Sequence, residues 1–107
     1  MDKSYVEMHK DNLEGVDLRG TILSFINLRD ANFHSANLSG ASFLGSFLAG
    51  ADLSGANLSG VNLCHVNLRG ANLSGANLSG AFYSGRTVWP EGFDPIRAGA
   101  TLSDKWG

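Results

Sequence analysis

Ala71-Asn72-Leu73-Ser74-Gly75-Ala76-Asn77-Leu78-Ser79-Gly80 is one five-residue phrase written twice, and its reading decides the fold. The phrase continues in both directions. Every fifth residue is large and apolar or aromatic: Leu13, Leu18, Leu23, Leu28, Phe33, Leu38, Phe43, Leu48, Leu53, Leu58, Leu63, Leu68, Leu73, Leu78 and Tyr83. Two residues before each centre stands a mostly small or β-branched residue, such as Val16, Ala36, Ser46 or Ala56. One before is mainly Asn or Asp, and two after is mainly glycine. The frame runs without insertion from Asp11 to Gly85. Such a period marks a repeat architecture, in which each unit buries its apolar side only against its neighbours.

A period of five is neither that of a helix nor that of a strand. Inside one unit the pattern does alternate. The small residue and the centre lie two apart, so a short extended segment turns both to one side and the Asn to the other. The Ser-Gly that follows is turn chemistry, with glycine tolerating the bend. Each unit is an edge plus a corner, and a chain that bends the same way at every unit must coil. Stacked coils bury a column of Leu and Phe, each worth roughly 1.5–3 kcal/mol when fully buried. Periodicity alone leaves open how many edges close a coil.

The motif Ala-(Asn/Asp)-Leu-Ser-Gly, as in Ala36-Asn37-Leu38-Ser39-Gly40, resembles that of the pentapeptide-repeat family over most of the chain. The resemblance implies an all-β fold: a right-handed quadrilateral parallel β-solenoid, or β-helix, of about four coils of ~20 residues with a C-terminal cap. The right hand agrees with the rule for crossovers between parallel strands. At ~4.8 Å per coil the stack would be about 19 Å long. Hexapeptide acyltransferases need a different period, and calcium-binding nonapeptide repeats need regular Asp. Ice-binding solenoids show ranks of outward Thr, whereas only Thr21 lies in this repeat.

Residues 1–107 read as a single domain, with coils over 6–85 and a capping segment over 86–107. Val6 and Met8 fit the frame as one more degenerate unit; Ser4 and Glu7 alternatively fit a capping box opening a short helix. Pro90 and Pro95 cannot donate to a ladder, so the regular coil is expected to stop near Gly85. Trp89, Phe93, Ile96, Leu102 and Trp106 would fold over the last coil. Asp94-Pro95 with Gly99 suggests one capped helical turn. The stretch from Thr87 to Pro95 also resembles tails of pentapeptide-repeat proteins of photosynthetic prokaryotes.

Composition narrows the function. Of 107 residues, 17% are charged and the formal net charge is −2, too mild to argue for nucleic acid or an anionic membrane as partner. No run approaches the roughly 18 apolar residues of a membrane span. Met1 to Lys10 lacks the apolar stretch of a signal peptide, so the expected location is cytoplasmic; a mature exported form would read the same. The single cysteine, Cys64, excludes an internal disulfide.

Repetition works against catalysis, which needs unlike groups converging in a concave site. No catalytic, cofactor-binding or metal-binding residues are expected. Cys64-His65 is the most tempting pair, but both fall in outward slots with no third group placed to orient the imidazole, and His34 falls on another face. The Asn column reads as a structural ladder, each side chain bonding to those above and below. Residues that depart from the motif are more telling. Ile22, Phe47 and Phe82 stand in the Asn slot, Phe25 replaces a corner glycine, and Leu44 replaces a small polar residue. In four-unit coils Ile22, Phe25, Leu44, Cys64 and Phe82 map to one face, with Phe47 on the next. Such a patch needs covering by the chain's own ends, by self-association or by another protein.

The expected function is therefore a non-enzymatic scaffold for protein interaction, its partner unidentified or a second copy. The family also contains DNA mimics that bind type II topoisomerases and confer quinolone resistance. Duplex DNA carries one charge per ~1.7 Å, so a rod of ~19 Å would need about eleven negative charges to match it. The repeats carry Asp11, Glu14, Asp17, Asp30 and Asp52 against Arg19, Arg29 and Arg69, which disfavours that alternative.

Overall fold

A computed structural model describes residues 2–103. Isolated parallel bridges join residues 20 apart in four ladders. One runs Asp17–Asn37–Asn57–Asn77, a second Ile22–Ser42–Asn62–Phe82, a third Asn27–Phe47–Asn67 and a fourth Asn32–Asp52–Asn72. Four units therefore make each turn of the coil, the number that periodicity left open.

Each tier repeats the same bonds to the next. Leu53 N–H donates to Asn72 C=O at 2.8 Å, Gly55 N–H donates to Ser74 C=O at 2.8 Å, and Asn72 N–H donates to Ala51 C=O at 2.9 Å. Corners close with a bond from the small residue back to the preceding centre, as from Ala56 N–H to Leu53 C=O at 3.1 Å. The corner glycines from Gly15 to Gly80 have φ near +70°, the left-handed region that glycine enters without a Cβ penalty. Alternation within each edge does the rest. The centres from Leu13 to Leu78 are all buried, with Phe33 and Phe43 meeting edge to face at 5.9 Å, and alanines such as Ala31, Ala51 and Ala81 are buried beside them. Tyr83 is only partly buried, packed against the end of this core.

The Asn column does not form the expected ladder. From Asn27 to Asn77 each Asn carbonyl turns to its own corner instead: Asn57 Oδ1 accepts from Ser59 N–H at 3.0 Å, and Asn72 Oδ1 from Ser74 N–H at 3.0 Å. Asn67 and Asn77 do the same for Arg69 and Ser79. This is an Asx turn, and a partner two residues away is reached more cheaply than one in another coil.

The N-terminal residues are not a degenerate repeat. Helix α1, Lys3–Met8, buries Val6 and leaves Met8 exposed. Its N-cap is Asp2, whose carboxylate accepts from Tyr5 N–H at 2.9 Å, rather than the Ser4–Glu7 box. A single 3-10 turn, Lys10–Asn12, leads into the first coil, where Lys10 C=O accepts from Asn32 N–H at 2.7 Å. The regular coils thus begin after this turn and not at residue 6.

At the other end the frame slips by one residue. Val88 bridges Asn67, and the corner moves to Gly85–Arg86, so Gly85 has no positive φ. Pairing goes on beyond Gly85: β1, Phe82–Tyr83, pairs in parallel with β2, Thr101–Leu102. Between them Trp89, Phe93 and Ala98 pack against the core, with Trp89 edge-on to Tyr83 and stacked on Phe93. Asp94 Oδ1 accepts from Ile96 and Arg97 N–H at the start of the 95–99 turn, and Gly99 closes it at φ +97°. Trp106 lies outside the described residues.

Candidate interaction surface

The off-motif residues fall on two adjoining sides of the coil. Ile22 heads the second ladder and is 65% exposed. Phe25 stands at the corner that leads to the third ladder, where Phe47 is 42% exposed. Leu44, one unit before Phe47, is half-buried, and the guanidinium of Arg29 lies over the Phe47 ring at 4.4 Å. Phe82 belongs to the ladder of Ile22 but is separated from it by Ser42 and Asn62. It pairs with Thr101 near the C-terminal end, next to the exposed Leu102, while the exposed Val88 continues the third ladder. Sequence reasoning missed Val88 because the slipped frame hid its outward position, and it expected Ile96 and Leu102 to fold over the last coil, whereas both side chains are exposed.

Phe25 is the outlier of the set. It adopts φ +59°, where a side chain costs roughly 1–2 kcal/mol, and its ring is 70% exposed. The ring projects over Gly45 of the next coil. The corner it forms is opened. Elsewhere the small residue donates back to the preceding centre, but here the buried Ser46 hydroxyl stands between the two groups. It accepts from Ile26 N–H at 3.0 Å and donates to Leu23 C=O at 2.6 Å. The same edge opens again two coils on. There His65, also at φ +59°, is followed by a bond from the Thr87 hydroxyl to Leu63 C=O at 2.7 Å.

Cys64 does not point outward. It is fully buried, and burial pushes its thiol pKa up, the wrong direction for a nucleophile. His65 is half-buried, its backbone N–H donating to Ser84 Oγ at 3.0 Å. A different polar group forms across one coil: Ser54 Oγ donates to Asp52 at 2.5 Å and takes His34 Nδ1 at 2.8 Å. The 20-residue step from His34 to Ser54 is the sequence signal for it. With the serine proton directed at Asp52, the imidazole acts as donor, so this chain of bonds braces the side rather than activating a hydroxyl. The Ser54 hydroxyl and N–H, and then the charge on His34, lower the Asp52 pKa.

The acidic residues are spread out. Asp17 is paired with Arg19 at 2.8 Å on one ladder, and Asp52 sits on another. Among the described residues no group of three or more His, Cys, Asp or Glu is placed to hold a metal ion. Among the described residues no helix is long and apolar enough to cross a membrane.

A family model described as pentapeptide repeats matches residues 12–48 and 48–82, with eight copies. Among solved structures the chain is similar to a pentapeptide repeat protein from the cyanobacterium Cyanothece 51142, at 38% identity and a TM-score of 0.71, over 72% of this chain and 52% of that one. It is also similar to one from the thylakoid lumen of Arabidopsis thaliana, at 37% identity and a TM-score of 0.64, over 84% and 64%. A third, from Nostoc PCC 7120, matches at 32% identity and a TM-score of 0.50, over 94% and 93%. The chain thus spans between half and two thirds of the first two relatives. No curated protein matches it. With its fifteen centres, its 20-residue bridges and this match over both halves of the repeat, the chain belongs to the pentapeptide-repeat family.

Proposed function

We infer that this protein is a non-enzymatic scaffold whose coil, right-handed as the crossover rule expects, presents an apolar face to a protein partner. Phe25 carries the reading. Glycine would relieve the left-handed backbone at that corner, and a polar residue would suit a side chain 70% in water. The fold alone favours neither the phenyl ring nor its position. An outlier of this kind argues for a role at the surface, and Ile22, Leu44 and Phe47 on the adjoining sides extend it. The filled interior supports the non-enzymatic part, since the coil encloses a column of Leu and Phe rather than a cleft.

The test replaces Ile22 with Asn and Phe25 with Gly, the residues that the repeat itself uses. Both changes are compatible with the coil, so the variant should stay folded. Sedimentation of each form is compared, as is partner capture from a lysate of the source cell. A self-associated species or a captured protein that is present for the wild type and lost for the variant supports the scaffold reading. Identical behaviour of the two forms overturns this face as the binding surface.

A further inference from the structure

Among the described residues, one edge of the last coil has no next tier. In the coil below, Ala51 C=O accepts from Asn72 N–H, while Leu53 and Gly55 N–H donate to Asn72 and Ser74 C=O. One turn on, the equivalent groups are Ala71 C=O, Leu73 N–H and Gly75 N–H. None of these three has a backbone partner among the described residues. The neighbouring edges are better covered. Gly80 N–H donates to Gly99 C=O, Ala81 C=O accepts from Thr101 N–H, and Leu68 N–H donates to Val88 C=O. Over the open edge lies a cleft of about 340 Å³, floored by Ala71–Ser74 and walled by Pro90–Phe93. The wall holds its own shape through the bond from Phe93 N–H to Pro90 C=O at 3.1 Å.

We propose that this edge is a peptide-binding site, which takes an extended segment of a partner protein as an added parallel strand. The occupant follows from the pattern of free groups. An acceptor followed by two donors at alternate residues along one extended edge is matched by a backbone, in which one residue supplies both N–H and C=O and the residue two further on supplies a second C=O. That is what Asn72 and Ser74 do for the coil beneath. Strand addition of this kind draws affinity from main-chain bonds and specificity from alternate side chains. The side chain after the doubly bonded residue would stand over Leu73 in the cleft that Phe93 also lines, so an apolar residue suits that position. The site is separate from the Ile22–Phe25 face, and neither depends on the other.

The probe is a blocked synthetic peptide of two Ala-Asn-Leu-Ser-Gly units, titrated into the isotopically labelled protein while amide resonances are followed. Saturable shifts of the Leu73 and Gly75 amides are expected below about 1 mM peptide. Methylating the Asn nitrogen that meets Ala71 C=O should weaken binding about tenfold. Absence of saturable shifts overturns the proposal. So does slow hydrogen exchange of Leu73 and Gly75 in the free protein, which would mean that the edge is already paired. Shifts confined to Ile22, Phe25 and Phe47 would place the peptide on the other face and overturn this site alone.

Discussion

The ring of Phe25 occupies the space that a side chain on Gly45 would need: a Cβ built there collides with Cδ1 and Cε1 of the ring. Two residues 20 apart in sequence thus divide one corner, the first supplying a side chain and the second making room for it. The glycine at 45 is held by two demands, its φ of +71° and the ring above it.

Gly45→Ala should accordingly cost about 1–2 kcal/mol of backbone strain plus a small excess for pushing the exposed Phe25 ring aside. Gly60→Ala, where the added Cβ would meet only Gly40 N at an ordinary 3.9 Å, should show the strain term by itself. Urea denaturation of both variants, and of Gly45→Ala combined with Phe25→Gly, separates the two effects. The excess cost at Gly45 should vanish in the double variant.

Ser46 offers a second prediction. Its side chain is 1% exposed, and its hydroxyl serves Ile26 N–H and Leu23 C=O together. Ser46→Ala removes both partners from a buried corner, so a loss of about 1–3 kcal/mol is expected. The same change at a solvent-facing serine such as Ser79 should stay within about 0.5 kcal/mol. Equal small effects at the two sites in thermal or chemical denaturation would show that the opened corner tolerates the loss.

Asp52 links folding to acid. Its pKa is lowered, first by the Ser54 hydroxyl and N–H and then by the charge of His34. A carboxylate with a depressed folded-state pKa contributes stability that is complete above its unfolded value of about 3.9 and is lost as pH falls through the folded value. Asp52→Asn keeps an oxygen for Ser54 N–H but removes this dependence. The stability gap between wild type and variant should therefore narrow as the pH drops below about 4, measured by denaturation across that range.

Cys64 is predicted to be silent to thiol reagents in the native protein. Full burial withholds the sulfur, and the raised pKa withholds the thiolate. Labelling by a chromogenic disulfide should be slow without denaturant and immediate with it. Fast native labelling would mean that the corner at His65 opens readily.

The repeat by itself determined the inside of the molecule. Leu at every fifth position, alanine two before it and glycine two after it state which side chains turn inward and where the chain bends, because these follow from local alternation and turn chemistry. The ladder spacing of 20 residues could be tied to the sequence only through a family likeness, since closure of a coil depends on the angle at each corner and not on the period. The outward side was less legible. Cys64 stands in the same slot as the outward serines yet is buried, and Asn72 bonds within its own corner rather than to the next coil. Local pattern assigns a slot, whereas burial depends on what the neighbouring coils place beside it. The ends were hardest to read: α1 replaced a degenerate unit, and one extra residue after Tyr83 moved Val88 into register. There the repeat stops constraining the chain, and tertiary packing of Val6, Trp89 and Phe93 on the column of leucines decides the outcome.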